Sequence, residues 1–344
     1  MEPMGTTTCA LFLIIFLSAS PFSTQGNVQL APALYIFGDS TVDGGNNVPD
    51  NKAFGIDLNN PSVPPRCTNG LTVADFFATF LGLPLAPPYK NMLEAGTSKS
   101  GVNYGSAGCG ILPQTGVKTV GGTYCWSFDK QISYFNSTVF DNLTSSFTQE
   151  QLVHHLDKSV FLISFGINDF NINYLQPNNG TLKTLTPDVF AQFLLNELSA
   201  RLRTLYLMGG RKFLVNNIWP LGCSPGYSSA SCCNETINKL LFPYNDTLPS
   251  VLMKLQAELH GSFFSCSNDF LFLSDLKSNV TQYGISNTTA ACLSNFWNGI
   301  PCQNRDEYLY FDGVHTTQAA NNIFALNCFN GSICSPNMIQ LLGA

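Results

Sequence analysis

The chain has 344 residues, 44% of them hydrophobic and 11% charged, and 27 are phenylalanine, ample material for a buried core and too apolar for long disordered stretches. Its length suits one large domain with long loops. A net charge of −6, with no Lys/Arg cluster to neutralise phosphates, excludes nucleic acid and anionic membrane surfaces as partners and favours neutral substrates.

The chain opens on an apolar run from about Cys9 to Leu17, flanked by small and polar residues. That run is too short to span a bilayer and reads as the core of a signal peptide over residues 1–26, although no Lys or Arg precedes it. The expectation is a secreted, extracellular protein without stable membrane insertion, with residues 27–344 as a single domain. Eight N-x-S/T tripeptides agree with that compartment, at Asn136, Asn142, Asn179, Asn234, Asn245, Asn279, Asn287 and Asn330. Each alone is equally an unmodified surface asparagine. Loss of Cys9 with the signal leaves eleven cysteines, which an oxidising compartment would pair except for one. Short spacings suggest Cys328 with Cys334, Cys292 with Cys302, and Cys223 with either Cys232 or Cys233. No C-x-x-C occurs, and His154, His155, His260 and His315 are scattered, so neither a metal nor any other cofactor is expected.

ALYIFGDS, at residues 33–40, reads as a buried strand ending at Gly38; SVFLISFGIND and KFLVNNIWP repeat the pattern. Between such runs lie helical stretches: VADFFATFLG, the segment Pro187 to Met208, and LPSVLMKLQAELHG. The second is the clearest. Thr186 is its N-cap, Pro187 its first residue, Gly209 and Gly210 its stop, and Phe190, Leu194, Leu198, Leu202, Leu205 and Met208 share one face. Alternating strands and helices predict a mostly parallel α/β sheet covered on both faces. In such sheets chemistry collects beyond the carboxyl ends of the strands, which draws attention to Ser40 after the first strand and Asn168 after a middle one.

A serine hydroxyl becomes nucleophilic when a base takes its proton and a third group orients that base. Asp312 and His315, three residues apart in FDGVH, can be presented by one tight turn as acid and base. Asn168 in GIND carries an amide able to donate to a developing oxyanion. Each signal alone is an ordinary turn or helix cap; together they make a site. Asp39 and Asp43 read as braces of the loop around Ser40, His154 and His155 as solvated, and His260 as a helix-terminal residue.

FGDSTVDGGNN, NYGSAGCGIL, ISFGINDF, NNIWPLGCSP and YLYFDGVHTTQAAN, in this order, resemble the blocks of plant-type GDSL esterase/lipases, members of the SGNH hydrolases. The resemblance spans about Ala33 to Leu341. It implies a flavodoxin-like three-layer α/β/α sandwich and hydrolysis or transfer of carboxylic esters, with a small-molecule or lipid ester as substrate. Residue by residue it implies Ser40 as nucleophile, His315 as base, Asp312 as the group orienting it, and an oxyanion hole from the N–H groups of Ser40 and of Ala107 or Gly108 with the Asn168 amide. The second block departs at Ala107, where the family usually has Gly. In the last block Phe311 replaces a frequent Trp and Thr316 a frequent Pro, which touches packing and turn stiffness. Two other readings stand beside ester hydrolysis: an acyltransferase using the same site, and a noncatalytic secreted glycoprotein on this scaffold.

Overall fold

The computed structural model describes residues 28–95, 99–116, 124–176, 182–229, 232–296 and 299–344. The expected signal segment and Asn179 lie outside these residues. Four parallel strands form the central sheet: β1 (Leu34–Gly38), β2 (Val160–Ser164), β3 (Lys212–Val215) and β4 (Phe263–Ser267). Between β4 and the chain end come β5 (Asn287–Ala291) and β6 (Tyr308–Tyr310), which pair with each other, and β7 (Cys334–Ser335), antiparallel to β4 at the edge of the main sheet.

Successive side chains of a strand point to opposite faces, and here both faces are dry. Tyr35, Phe37, Phe161, Ile163, Phe213 and Val215 enter one core with the helices Phe128–Ser137, Pro187–Leu207 and Glu235–Glu258. Leu34, Ile36, Val160, Leu162 and Leu214 enter a second core with the helices Val73–Phe80, Asp269–Ser278 and Gln318–Asn330. The chain therefore has the three-layer α/β/α architecture. Aromatic rings dominate the first core: Tyr35 and Phe161 each lie edge-on to Phe135, with centroids 5.0 and 5.5 Å away. Each such buried ring contributes about 1.5–3 kcal/mol by leaving water.

Thr186 caps the Pro187–Leu207 helix, and its buried face carries Phe190, Leu194, Leu198, Leu202 and Leu205, as the periodicity requires. Thr72 and Asp75 form a capping box at Val73–Phe80. The helix expected from Leu248 begins instead at Glu235, capped by Asn234, and runs through Pro243 and Pro249. Proline normally breaks a helix because it lacks a donor. Here Leu241, Tyr244, Leu248, Leu252 and Leu255 form a continuous buried stripe, and that packing outweighs the lost hydrogen bonds.

Several expectations change on folding. His155 is buried, 6% exposed, with Nε2 3.0 Å from the Tyr35 hydroxyl, and burial pushes it down to about 4. Its neighbour His154 is exposed. Cys328–Cys334 and Cys292–Cys302 are disulfides, and Cys223 pairs with Cys233. A fourth bond, Cys109–Cys125, joins segments whose spacing carried no signal, and among the described residues three thiols rather than one stay free: Cys67, Cys232 and Cys266. Asn136, Asn234 and Asn330 are exposed, but Asn245 is 8% exposed inside a helix. Its Nδ2, where a glycan would attach, donates to Ile218 O, and its Oδ1 accepts from Ile218 N, so the expected modification does not fit there. Among the described residues no helix is long and apolar enough to cross a membrane.

Candidate active site

The carboxyl ends of β1 and β2 and the loop after β6 meet at one edge of the sheet. β1 ends at Gly38, where a Cβ would lie 2.7 Å from the β2 carbonyl of Ser164 and would overlap Val42. Glycine at this point lets the chain turn beside β2 and expose Ser40. Gln131, unnoticed in the sequence, clamps the turn: its Oε1 accepts from Gly38 N at 2.9 Å and its Nε2 donates to Gly38 O at 2.8 Å. Both ends of one buried amide thus hold the peptide two residues before the serine.

β6 delivers the other half. Phe311 N donates to His315 O at 2.8 Å and Thr317 N to Leu309 O at 3.0 Å, closing residues 311–316 into a tight loop. Inside it Asp312 Oδ1 accepts from the backbone N–H of Val314 and of His315, both at 2.8 Å. Its other oxygen lies 2.8 Å from His315 Nδ1, and His315 Nε2 lies 2.8 Å from Ser40 Oγ. This geometry assigns the proton on the carboxylate side to Nδ1 and leaves Nε2 to accept from the serine hydroxyl. Burial alone would raise Asp312 and lower His315, but their mutual attraction and hydrogen bonds outweigh it, so Asp312 sits below and His315 above the usual range. Asp39 adds to the pull on His315.

His315 shares its cleft with Ser40, Gly108 and Asn168. Asn168 Nδ2 donates one hydrogen to Cys109 O at 2.9 Å, which fixes the amide and leaves its second hydrogen for the cleft. Gly108 adopts φ +82°, a left-handed conformation favouring glycine, and its N–H has no acceptor among the described residues. The Ser40 N–H is likewise unengaged among them. Ala107 differs: its N–H donates to Asp43 Oδ2 at 2.9 Å and to Asn47 Oδ1 at 2.6 Å, so it is committed inside the loop. Of the two residues expected to supply a second-block donor, Gly108 keeps its N–H free among the described residues and Ala107 does not. Asp43 accepts further from Gly45 N and Asn46 N, the loop-bracing role read from the sequence.

Asp169, which follows the same strand as Asn168, has a role that the sequence does not reveal. Fully buried and raised to about 6 by desolvation, it accepts from Ile111 N, Leu112 N and Thr115 Oγ1, tying the end of β2 to the loop that carries Gly108. The Cys109–Cys125 disulfide anchors the same loop. Ser40, Gly108, Asn168 and His315 line one cleft of about 600 Å³ whose apolar wall includes Pro49, Phe54, Ile172 and Phe296. That volume lies within the range of small-molecule sites, about 300–1,000 Å³.

The family model described as GDSL-like Lipase/Acylhydrolase matches residues 34–327. Similar curated proteins come from Arabidopsis thaliana. GDSL esterase/lipase 7 is 37% identical over 334 residues, covering 90% of each chain. GDSL esterase/lipase At5g08460 is 32% identical, covering 96% of this chain and 92% of its own. GDSL esterase/lipase At1g71691 is 33% identical, covering 92% and 86%.

Proposed function

Because the chain belongs to the GDSL-like lipase/acylhydrolase family and is a hydrolase of ester bonds, we propose that it is a secreted carboxylic ester hydrolase working through an acyl-enzyme on Ser40. The observation that carries this reading is the continuous relay Ser40 Oγ to His315 Nε2 and His315 Nδ1 to Asp312 Oδ2, each step 2.8 Å.

In this mechanism Ser40 Oγ attacks the ester carbonyl while His315 Nε2 takes its proton. Asp312 keeps the imidazole in the required tautomer and stabilises the imidazolium. The negative charge that develops on the carbonyl oxygen is met by the N–H groups of Ser40 and Gly108 and the free hydrogen of the Asn168 amide. His315 then protonates the leaving alcohol, water attacks the acyl group, and Ser40 is restored. The cleft suits a neutral small-molecule or lipid ester, its apolar wall taking hydrocarbon. Four disulfides and exposed acceptor tripeptides support an extracellular location.

A fluorophosphonate probe tests the nucleophile. Intact-mass analysis should show one adduct on the wild type, mapped to Ser40, and none on Ser40→Ala. Labelling of Ser40→Ala at the wild-type rate would refute the assignment. Secretion predicts that enzymatic deglycosylation increases the gel mobility of protein recovered from culture medium.

A further inference from the structure

A second groove, of about 680 Å³, opens beside the cleft that holds Ser40 and His315. Asn171, Gln176 and Val314 line both, so the two meet at these residues. Their junction belongs to the catalytic frame. Val314 adjoins His315 in the turn that Asp312 braces, and Asn171 follows Asn168 by three residues on the helical segment Asp169–Leu175. The far wall, at Gly226 and Tyr227, is bonded to both: Gly226 N donates to Gly313 O at 2.7 Å, and the Tyr227 hydroxyl donates to Asn171 Oδ1 at 2.6 Å. A Cβ on Gly226 would lie only 3.0 Å from Gly313 O, so glycine permits this approach. The Cys223–Cys233 disulfide closes the loop that carries Tyr227 and leads into the helix Glu235–Glu258, whose first turns add Ile237 and Leu240 to the wall. The groove is thus tied by hydrogen bonds to the catalytic turn on one side and to the Asn168 segment on the other.

Its chemistry limits what lies in it. Leu175, Ile237, Leu240 and Val314 are half-buried there, each with apolar surface still open to a guest. Tyr227, its hydroxyl spent on Asn171, offers its ring. None of the described residues lining the groove is charged, so it has nothing to pair with a phosphate or ammonium headgroup. We propose that the groove is a subsite for the far end of a linear alkyl chain whose ester carbonyl lies at Ser40, which makes the substrate a neutral ester with a long hydrocarbon arm. Reaction at Ser40 rests on the acyl-enzyme reading above; binding of the chain does not. That arm is either the acyl chain or the chain of the alcohol, and both present the same surface to Val314, Ile237 and Leu240. Each methylene that leaves water for such a wall is worth about fourfold when fully covered and about twofold when half covered. Selectivity for chain length therefore accumulates once the chain passes Val314.

The test gives the full chain pairs of esters in competition at micromolar concentration, with the products quantified by mass spectrometry. One pair, p-nitrophenyl butyrate and decanoate, varies the acyl arm; the other, butyl and decyl butyrate, varies the alcohol arm. In one pair the long ester should be favoured at least tenfold in kcat/KM, and that pair identifies the arm. Leu240→Gln should lower this preference about three- to tenfold by taking apolar surface from the wall. The preference is a ratio set by each active molecule, so partial misfolding does not move it. Ile237→Gln should act the same way should Leu240→Gln fail to fold. No preference in either pair, or one that neither variant alters, overturns the subsite. A wild type that sediments as a dimer and becomes monomeric with Leu240→Gln would assign the groove to a second copy and also overturn it. Separately, saturation-transfer NMR of 1-octanol with Ser40→Ala should show saturable binding that the added Leu240→Gln change weakens at least threefold. Absence of binding overturns the subsite. Such binding, in a protein whose wild type hydrolyses none of the four esters, would keep the subsite and refute the acyl-enzyme reading instead.

Discussion

The side-chain amide of Asn168 donates to the backbone carbonyl of Cys109 at 2.9 Å, and Cys109 is in turn bonded to Cys125. A donor at the end of β2 is thus fixed by a loop that is itself covalently anchored. Pre-organised donors act on charge that appears only in the transition state, so their removal registers in kcat.

Asn168→Ala should therefore reduce kcat by about 100- to 1,000-fold with KM nearly unchanged. Steady-state kinetics on a soluble ester separates the two constants. An effect confined to KM would make Asn168 a substrate-binding residue.

The anchor itself is open to the same measurement. Replacing Cys109 and Cys125 together by serine removes a closure of 16 residues, worth about 3 kcal/mol for a loop of that size. Thermal melting should fall, and kcat should fall further than KM rises, because Gly108 and Asn168 lose their fixed geometry. An unaltered kcat in the folded variant would show that the loop holds its shape without the bond.

Gly110 packs against the Asp169 carboxylate, and a Cβ there would overlap it. Gly110→Ala is expected to displace Asp169 from Ile111, Leu112 and Thr115, costing about 1–3 kcal/mol for the buried acceptor and donors left unpaired. Urea unfolding gives the stability loss. A neutral effect would mean that the carboxylate shifts freely, contrary to its three hydrogen bonds.

The activity should have an acidic limb above the ordinary histidine value of about 6.5. Burial would lower His315, but the charge and hydrogen bond of Asp312, with Asp39, hold it higher. In the proposed role of general base it works when neutral, so kcat/KM is expected to rise with pH through that raised value. Asp312, held low, stays ionised throughout. Asp39→Asn removes part of the pull and should move the limb to lower pH; a limb that stays in place would show no coupling between Asp39 and His315.

Asp269 is pushed up to about 7 by burial, against the hydrogen bond from Ser267. A carboxyl whose folded value is raised binds its proton more tightly when folded. Its contribution is therefore favourable at low pH and is lost as pH rises from about 4 in the unfolded chain to about 7 in the folded one. Asp269→Asn should accordingly gain stability over the wild type between pH 5 and pH 8, by on the order of 1–4 kcal/mol. Denaturant unfolding at both values checks this, and a difference independent of pH would place Asp269 in the ordinary range.

Local chemistry in the sequence was enough for three of the four parallel strands, for the Pro187–Leu207 helix with its Thr186 cap, and for placing Asp312 and His315 in one turn, because periodicity, capping and short spacing are short-range properties; pairing Ser40 with His315, 275 residues away, came from the family resemblance. The Glu235–Glu258 helix was not legible at its start, since two prolines argue locally against a helix that only packing on a neighbour sustains. Nor was the choice between Ala107 and Gly108, which depends on Asp43 and Asn47 accepting one N–H and leaving the other free. Gln131 at Gly38 and Asp169 at the Gly108 loop were invisible for the same reason. Each acts through partners distant in the chain, and only folding decides which donor meets which acceptor.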